Sequence, residues 1–180
     1  MVGWHPDDWS APAGFSAIPV HYDGTVLTSF PISFENNSHD DLCLAGGAGT
    51  VYASWSDQRA TNLLYGSRLA DTGSPTDVPS VQIQGSEGSS PRCVRGQSGS
   101  LVVAATGGSV GNITAVRVDG ITGAVVDATP IVVNAGSGWG SQLPDVAFAN
   151  GMYMVIWEDW RSSGSGGDSG IYLAAIFAPA

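Results

Sequence analysis

The sequence predicts an all-β fold, a β-propeller or part of one, made of about four copies of a four-stranded unit of about fifty residues. Three observations predict it. Trp4, Trp55 and Trp157 close the similar phrases MVGW, YASW and MVIW, with separations of 51 and 102 residues. Gly24, Gly73 and Gly123 keep the same beat at 49 and 50, and Pro31, Pro79 and Pro130 at 48 and 51. The composition, 25 Gly and only 12% charged residues in 180, suits short strands joined by Gly/Ser turns and argues against long helices.

Within each unit, β-branched and aromatic runs bounded by Gly, Ser, Asn and Pro mark the strands. An inner strand is expected at 42–45, 92–95 and 145–149, from the alignment of Asp41-Leu42-Cys43-Leu44 with Pro91-Arg92-Cys93-Val94 and Pro144-Asp145-Val146-Ala147. A second strand, ending in the Trp phrase, is expected at 1–4, 50–57, 100–105 and 152–159. Its third copy, LVVAATGG, places Ala105 where Trp would stand. Third strands are expected at 15–22, 63–70, 112–119 and 171–178, and fourth strands near 30–34, 79–83 and 130–134.

The single repeat domain 1–180 therefore opens on a second strand and closes on a third. Units 1–38 and 142–180 are partial, units 39–88 and 89–141 are complete, and the strands total 14. Radial packing of such units protects sheet edges that would otherwise aggregate, and a β-sandwich is the alternative. The partial end units leave two arrangements: a ring closed within one chain, or an arc completed by a second copy in a homodimer or by further sequence.

A formal charge of −10 and a pI near 4.2, with all six basic residues Arg, give a surface that repels phosphate backbones and excludes nucleic acid as a partner. No apolar run approaches the roughly 18 residues that span a bilayer. The N-terminal MVGWHPDDWS lacks the basic and apolar regions of a signal peptide, which leaves localisation unknown.

Trp55-Ser56-Asp57-Gln58-Arg59 and Trp157-Glu158-Asp159-Trp160-Arg161 are the sharpest local signal, with Trp4 to Asp8 a diverged copy. Period-two alternation puts Trp, Asp and Arg on one face. There Trp fills the space between sheets, Asp accepts backbone N–H groups of the following turn, and Arg forks onto a carboxylate. With GIYLAA at 170–175 and the Gly73 and Gly123 turns, the chain resembles bacterial β-propeller repeats that carry a Trp-x-Asp-x-Arg signature. The resemblance implies the fold and an extracellular or cell-surface bacterial setting; such repeats serve varied functions.

In an up-and-down four-stranded unit, the loops from second to third strand and from fourth strand to the next unit emerge at one end. The first kind supplies Trp9, Arg59, Trp160 and Arg161; the second supplies His39, Asp40 and Trp139. Exposed Trp beside Arg is a recognition composition. The expectation is a non-enzymatic binding or scaffold module that takes a carbohydrate, peptide or protein ligand on this face, through Trp9, His39, Arg59, Trp139, Trp160 and Arg161. The alternatives are a self-assembling structural unit and a glycosidase-like hydrolase. The hydrolase rests on the carboxylate pairs Asp7/Asp8, Asp40/Asp41 and Glu158/Asp159, read here as solvated loop groups. Against it stand the missing Ser-x-Asp-x-Gly-x-Thr-Trp box and a chain about half the length such enzymes need.

The phrase Gly96-Gln97-Ser98-Gly99 mimics a serine-protease nucleophile segment, with His21 or His39 as base. Ser98 nevertheless falls at the turn between first and second strands, as 47–49 and Asn150-Gly151 do in other units, and repeat position accounts for it. Cys43 and Cys93 take equivalent inner-strand positions, where the next copy has Val146, and are expected as small buried apolar groups. A disulfide is the alternative if their Cα atoms come within about 7 Å. No Cys/His spacing or acidic loop pattern calls for a metal or cofactor.

Overall fold

The computed structural model describes residues 1–4, 14–33, 39–47, 49–58, 61–70, 74–106, 111–134, 140–160 and 169–177. Among them lie fourteen strands, in four antiparallel sheets that follow one another along the chain. Sheet 1 holds β1 (Val2–Trp4), β2 (Ser16–Ile18) and β3 (Phe30–Pro31). Sheet 2 holds β4 (His39–Gly47), β5 (Thr50–Asp57), β6 (Leu63–Ala70) and β7 (Val81–Glu87). Sheet 3 holds β8 (Ser89–Arg95), β9 (Gly99–Thr106), β10 (Asn112–Asp119) and β11 (Ile131–Val132), and sheet 4 holds β12 (Ser141–Ala149), β13 (Met152–Asp159) and β14 (Gly170–Phe177). The three, four, four and three strands agree with the repeat. The inner strands start three or four residues earlier than the apolar pattern indicated, because a bulge near the start of each extends its pairing.

Three apolar layers hold the sheets face to face. Phe15, Ala17 and Ile32 of sheet 1 meet Ala53, Trp55, Tyr65 and Leu69 of sheet 2. The other face of sheet 2, with Tyr52, Leu64 and Ile83, meets Val102, Ala104 and Val118 of sheet 3. The opposite face of sheet 3, with Leu101, Val103, Ile113 and Ala115, meets Tyr153, Val155 and Trp157 of sheet 4. Sheets 2 and 3 are thus covered on both sides, so β5 and β9 read as nearly continuous buried runs. In β14 the exposure alternates residue by residue, as one covered face requires.

Strand register corrects one alignment. Trp55 pairs with Tyr65 and Trp157 with Tyr172, each the third residue of its partner strand; in sheet 3 the corresponding pair is Ala104 with Thr114. The lost Trp therefore belongs at Ala104, one residue before Ala105, which lies on the opposite face. Tryptophan at the backward face fills the gap to the preceding sheet: Phe15 packs edge-on against Trp55 at 6.3 Å between ring centres. Between sheets 2 and 3 a polar pair occupies that zone instead, the Thr114 hydroxyl donating to Gln84 Oε1 at 3.1 Å.

Cys43 and Cys93 form a disulfide with Cα atoms 5.8 Å apart, contrary to the expectation of two separate buried thiols. The positions also differ by one from the alignment. Cys43 pairs with Ser54, the place that Arg92 and Asp145 hold in the next two units, whereas Cys93 holds the place of Leu44 and Val146. In the regular part of the strands, equivalent side chains of a rotary array point the same way around the axis and do not meet. A bridge between adjacent units must join a forward-pointing to a backward-pointing position.

A second repeated device closes the outer part of sheets 2 and 3. Arg68 on β6 donates its backbone N–H to Asp77 Oδ2 at 2.7 Å and its Nε at 3.0 Å; Arg117 on β10 repeats this with Asp127 at 2.7 and 3.1 Å. Arg68 Nη1 also donates to the Ile121 carbonyl in the turn of sheet 3, tying the two sheets together. The bridges Val20↔Val26, Leu69↔Pro75 and Val118↔Val125 set the register in which Pro19 replaces the arginine in sheet 1. Burial pushes the Asp127 carboxyl up, but the side-chain and backbone N–H bonds of Arg117 outweigh it and hold the carboxyl below the ordinary range. A depressed carboxyl stabilises the fold above its unfolded value, and the contribution is lost as pH falls through the folded value. Arg117→Ala should therefore lower urea stability by about 1–3 kcal/mol at neutral pH. The deficit should narrow below about pH 4; an undiminished deficit at pH 3 would remove the ion pair as its cause.

Candidate functional site

The inner strands β4, β8 and β12 lie side by side about the common axis. Each carries a bulge near its start, between Asp40 and Leu42, Ser89 and Arg92, and Gln142 and Asp145. At each bulge one non-glycine residue takes left-handed backbone: Asp41 at φ 52°, Ser90 at 48° and Leu143 at 50°. Such residues are disfavoured in that region, and bulges characteristically re-aim side chains beside functional sites. Pro91 and Pro144 fall inside two of the bulges, where an edge strand needs no ladder N–H.

These bulges carry polar side chains at the starts of the inner strands. The Asp41 carboxylate accepts the Ser90 backbone N–H at 2.9 Å and the Ser90 hydroxyl at 3.4 Å, a contact across the boundary between sheets 2 and 3. Asp145 is exposed, its Oδ1 accepting the N–H of Val146 at 2.8 Å. Gln142 Nε2 donates to Glu158 Oε2 at 3.5 Å. Arg92 Nη1 donates to its neighbour's carbonyl, Pro91 O, at 3.0 Å. The candidate site is thus the Asp41–Ser90 pair across the boundary of sheets 2 and 3, with the exposed Asp145 at the equivalent bulged end of sheet 4.

Asp159 has a different place. It is fully buried, and its Oδ2 accepts both the Trp157 indole N–H and the Ser141 hydroxyl at 3.0 Å. Ser141 Oγ in turn accepts from the Asn134 amide at 2.5 Å, and Asn134 Oδ1 accepts the Ile113 N–H at 2.5 Å. This chain stitches sheet 3 to sheet 4. The N–H groups of the following turn, expected as partners of Asp159, lie outside the described residues; the indole and the serine hydroxyl are partners that alternation alone could not reveal. Of the pair Glu158/Asp159, only Glu158 reaches solvent.

The residues first expected to bind a ligand are less completely placed. His39 starts β4 in register with Asp57, and the Trp160 N–H donates to Gly140 O at 3.3 Å, so Trp160 and the segment preceding β12 adjoin. Trp9, Arg59, Trp139 and Arg161 lie outside the described residues, as do Asp7 and Asp8. Ser98 sits in the β8–β9 turn, its carbonyl accepting the Gly120 N–H, while His21 lines a cleft of about 280 Å³ between sheets 1 and 2 at the other end of the axis from Asp41. Sequence reasoning missed Asp41, Ser90 and Asp145 as a group. Their available signal was the aligned starts of the inner strands.

No family model matches the chain, and no characterised protein matches it by sequence. Solved structures do share its fold. An exo-1,5-α-L-arabinanase from a bovine ruminal metagenomic library is 12% identical, with TM-score 0.55 over 96% of this chain and 69% of that one. The chain has the β-propeller fold. A family-43 endo-arabinanase from Bacillus licheniformis is 13% identical, with TM-score 0.52 over 97% of this chain and 68% of its own. GH43B of the Bacteroides ovatus xyloglucan PUL is 15% identical, with TM-score 0.53 over 99% of this chain but only 40% of its own. These likenesses overturn the expectation of a non-enzymatic module. The propellers that this chain resembles are glycoside hydrolases, and of the carboxylates read as loop groups Asp41 lies at the bulged start of an inner strand.

If the chain from Ile113 to Asp159 is one network, Ser141→Ala and Asp159→Ala should not be additive. Chemical denaturation of the double-mutant cycle should give a coupling of at least about 0.5 kcal/mol. Additive losses would reduce the two residues to independent contacts.

Proposed function

We propose that this chain is a glycoside hydrolase-type propeller module that cleaves polysaccharide at the axial end bearing Asp41 and Asp145. The observation that carries the reading is that Asp41 and Asp145, both exposed, stand at the bulged starts of two inner strands in a fold shared with glycoside hydrolases. Hydrolysis of a glycosidic bond needs one carboxyl to protonate the leaving oxygen and a second to activate water or attack the anomeric carbon. In this reading Asp41 and Asp145 supply that pair.

Two solved relatives are named as arabinanases and a third for a xyloglucan locus, so arabinan and related wall polysaccharides are the substrates to try first. The loop residues Trp9, His39, Arg59, Trp139, Trp160 and Arg161 then serve as sugar-stacking and hydrogen-bonding groups around the cleavage point. An extracellular setting, implied by the resemblance to secreted bacterial propeller repeats, fits a substrate too large to enter a cell.

The purified chain should release reducing sugar from arabinan or turn over a chromogenic arabinoside. Asp41→Asn and Asp145→Asn should each lower kcat at least about 100-fold while leaving the circular dichroism unchanged. A folded chain inert on arabinan, xyloglucan and their chromogenic analogues would sink the proposal, as would full activity in both variants.

The open face of sheet 4 favours a second element, association with another copy. Ile156, Ile171 and Leu173 stand where Val103, Ile113 and Ala115 of sheet 3 are buried against sheet 4, yet they are 40%, 76% and 58% exposed, with Phe177 76% exposed beside them. Contiguous exposed apolar surface of this kind marks an association site. Light scattering should give about twice 18.4 kDa, falling to one chain mass in Phe177→Glu; an 18.4 kDa wild-type particle would remove the pairing.

A further inference from the structure

Features that recur in every unit are accounted for by packing, so a departure from the repeat is where a specific device is to be sought. The boundary between β4 and β8 departs twice. Its bulge residues are Asp41 and Ser90, joined by two hydrogen bonds, whereas the third bulge offers Leu143, 60% exposed and without a polar side chain. Its strands are also covalently tied. Cys43 lies two residues beyond Asp41 and Cys93 three beyond Ser90, and the corresponding places at the β8–β12 boundary are Arg92 and Val146.

We propose that the Cys43–Cys93 disulfide and Ser90 together form a positioning device for Asp41, so that the axial site is competent in the oxidised chain and impaired when the bridge is reduced. The inference rests on the hydrolase reading for its activity arm alone. The physical case is geometric. β4 and β8 belong to different sheets, so no ladder of backbone hydrogen bonds fixes one against the other. Their relative height along the axis is set by side-chain packing and by this bridge. A slide of about 1 Å is enough to spoil a catalytic geometry. It would also stretch the 2.9 Å Ser90–Asp41 contact, which is one end of a short lever whose other end is the sulfur pair.

Reduction is a two-step exchange with a dithiol. One reagent thiolate attacks a cysteine sulfur and the S–S bond breaks; the reagent's second thiolate then closes on the mixed disulfide and releases the other cysteine. Two electrons pass to the cysteines, each of which ends as a thiol carrying one proton, and the reagent ends as a cyclic disulfide. The reverse reaction needs an oxidised dithiol, which an extracellular compartment supplies.

The test compares one preparation of the full chain before and after dithiothreitol, with Cys43→Ser/Cys93→Ser as the genetic counterpart. Amide hydrogen exchange at Ser90, read by NMR, should speed at least about 10-fold on loss of the bridge while Val103 and Val155 in the apolar layers stay protected. Turnover of the arabinan substrate should drop at least about 10-fold in kcat with KM little changed, the pattern of lost positioning. Ser90→Ala, which keeps the backbone donor and loses the hydroxyl, should lower kcat less than bridge loss does. Unchanged Ser90 exchange on reduction would overturn the proposal, and so would a reduced chain as active as the oxidised one. A chain inert in both states would fail the hydrolase reading, and Ser90 exchange would then decide this inference by itself. Loss of protection at Val103 and Val155 as well would make the bridge a general stabiliser and would also overturn it.

Discussion

The structure depends on one constraint, that each sheet lays its forward face on the backward face of the next. A single β-sheet of this size cannot shield both its faces, and the chain solves that by repeating the same unit about an axis. Because the operation is a rotation, equivalent side chains in the regular strands face the same sense around the axis and do not meet. Contacts in the apolar layers therefore join unlike positions, whereas at the bulges the equivalent residues Asp41 and Ser90 meet. That rule places Trp55 against Phe15 of sheet 1, and Trp157 in a layer with Leu101 and Val103 of sheet 3. It also makes the disulfide join Cys43 to a residue whose own counterpart in sheet 2 is Leu44.

The same rotation produces the candidate site. Inner strands start at one end of the axis, so polar residues at the starts of adjacent strands can meet although they lie about fifty residues apart in sequence. Asp41 and Ser90 are brought together this way, and Asp145 stands at the corresponding end of β12. The bulges add the finer adjustment, turning Asp41 and Ser90 toward each other across a boundary that no backbone ladder spans. Carboxylates on the same chain have opposite fates by depth: Asp159 is consumed by the indole and serine hydroxyl it accepts, whereas Asp145 keeps its exposure.

The repeat that made the fold legible also hid the chemistry. Periodic Trp, Gly and Pro revealed four units because those residues serve the packing that every unit shares. Asp41, Ser90 and Leu143 occupy equivalent bulges with unrelated side chains, so no periodic search singles them out. Reading aligned strand starts as mere anchors of the repeat led to a binding module, whereas the shared fold with glycoside hydrolases turns attention to the carboxylates there. Single-residue errors had the same origin: apolar runs such as LVVAA leave register ambiguous by one, and a one-residue slip exchanges the faces of a strand.

What the sequence determined by itself was local and periodic: all-β character, fourteen strands, their division among four units, and the turn at Ser98. These follow from alternation, turn residues and a repeat of about fifty, which are properties of neighbouring residues along the chain. Tertiary structure alone decided that Ala104 and not Ala105 replaces Trp, that Cys43 and Cys93 are joined, that Asp159 is buried on an indole, and that Asp41 meets Ser90. Each of these depends on the register between strands or the height of one sheet against the next. Those offsets arise from three-dimensional packing, and one-dimensional spacing does not encode them.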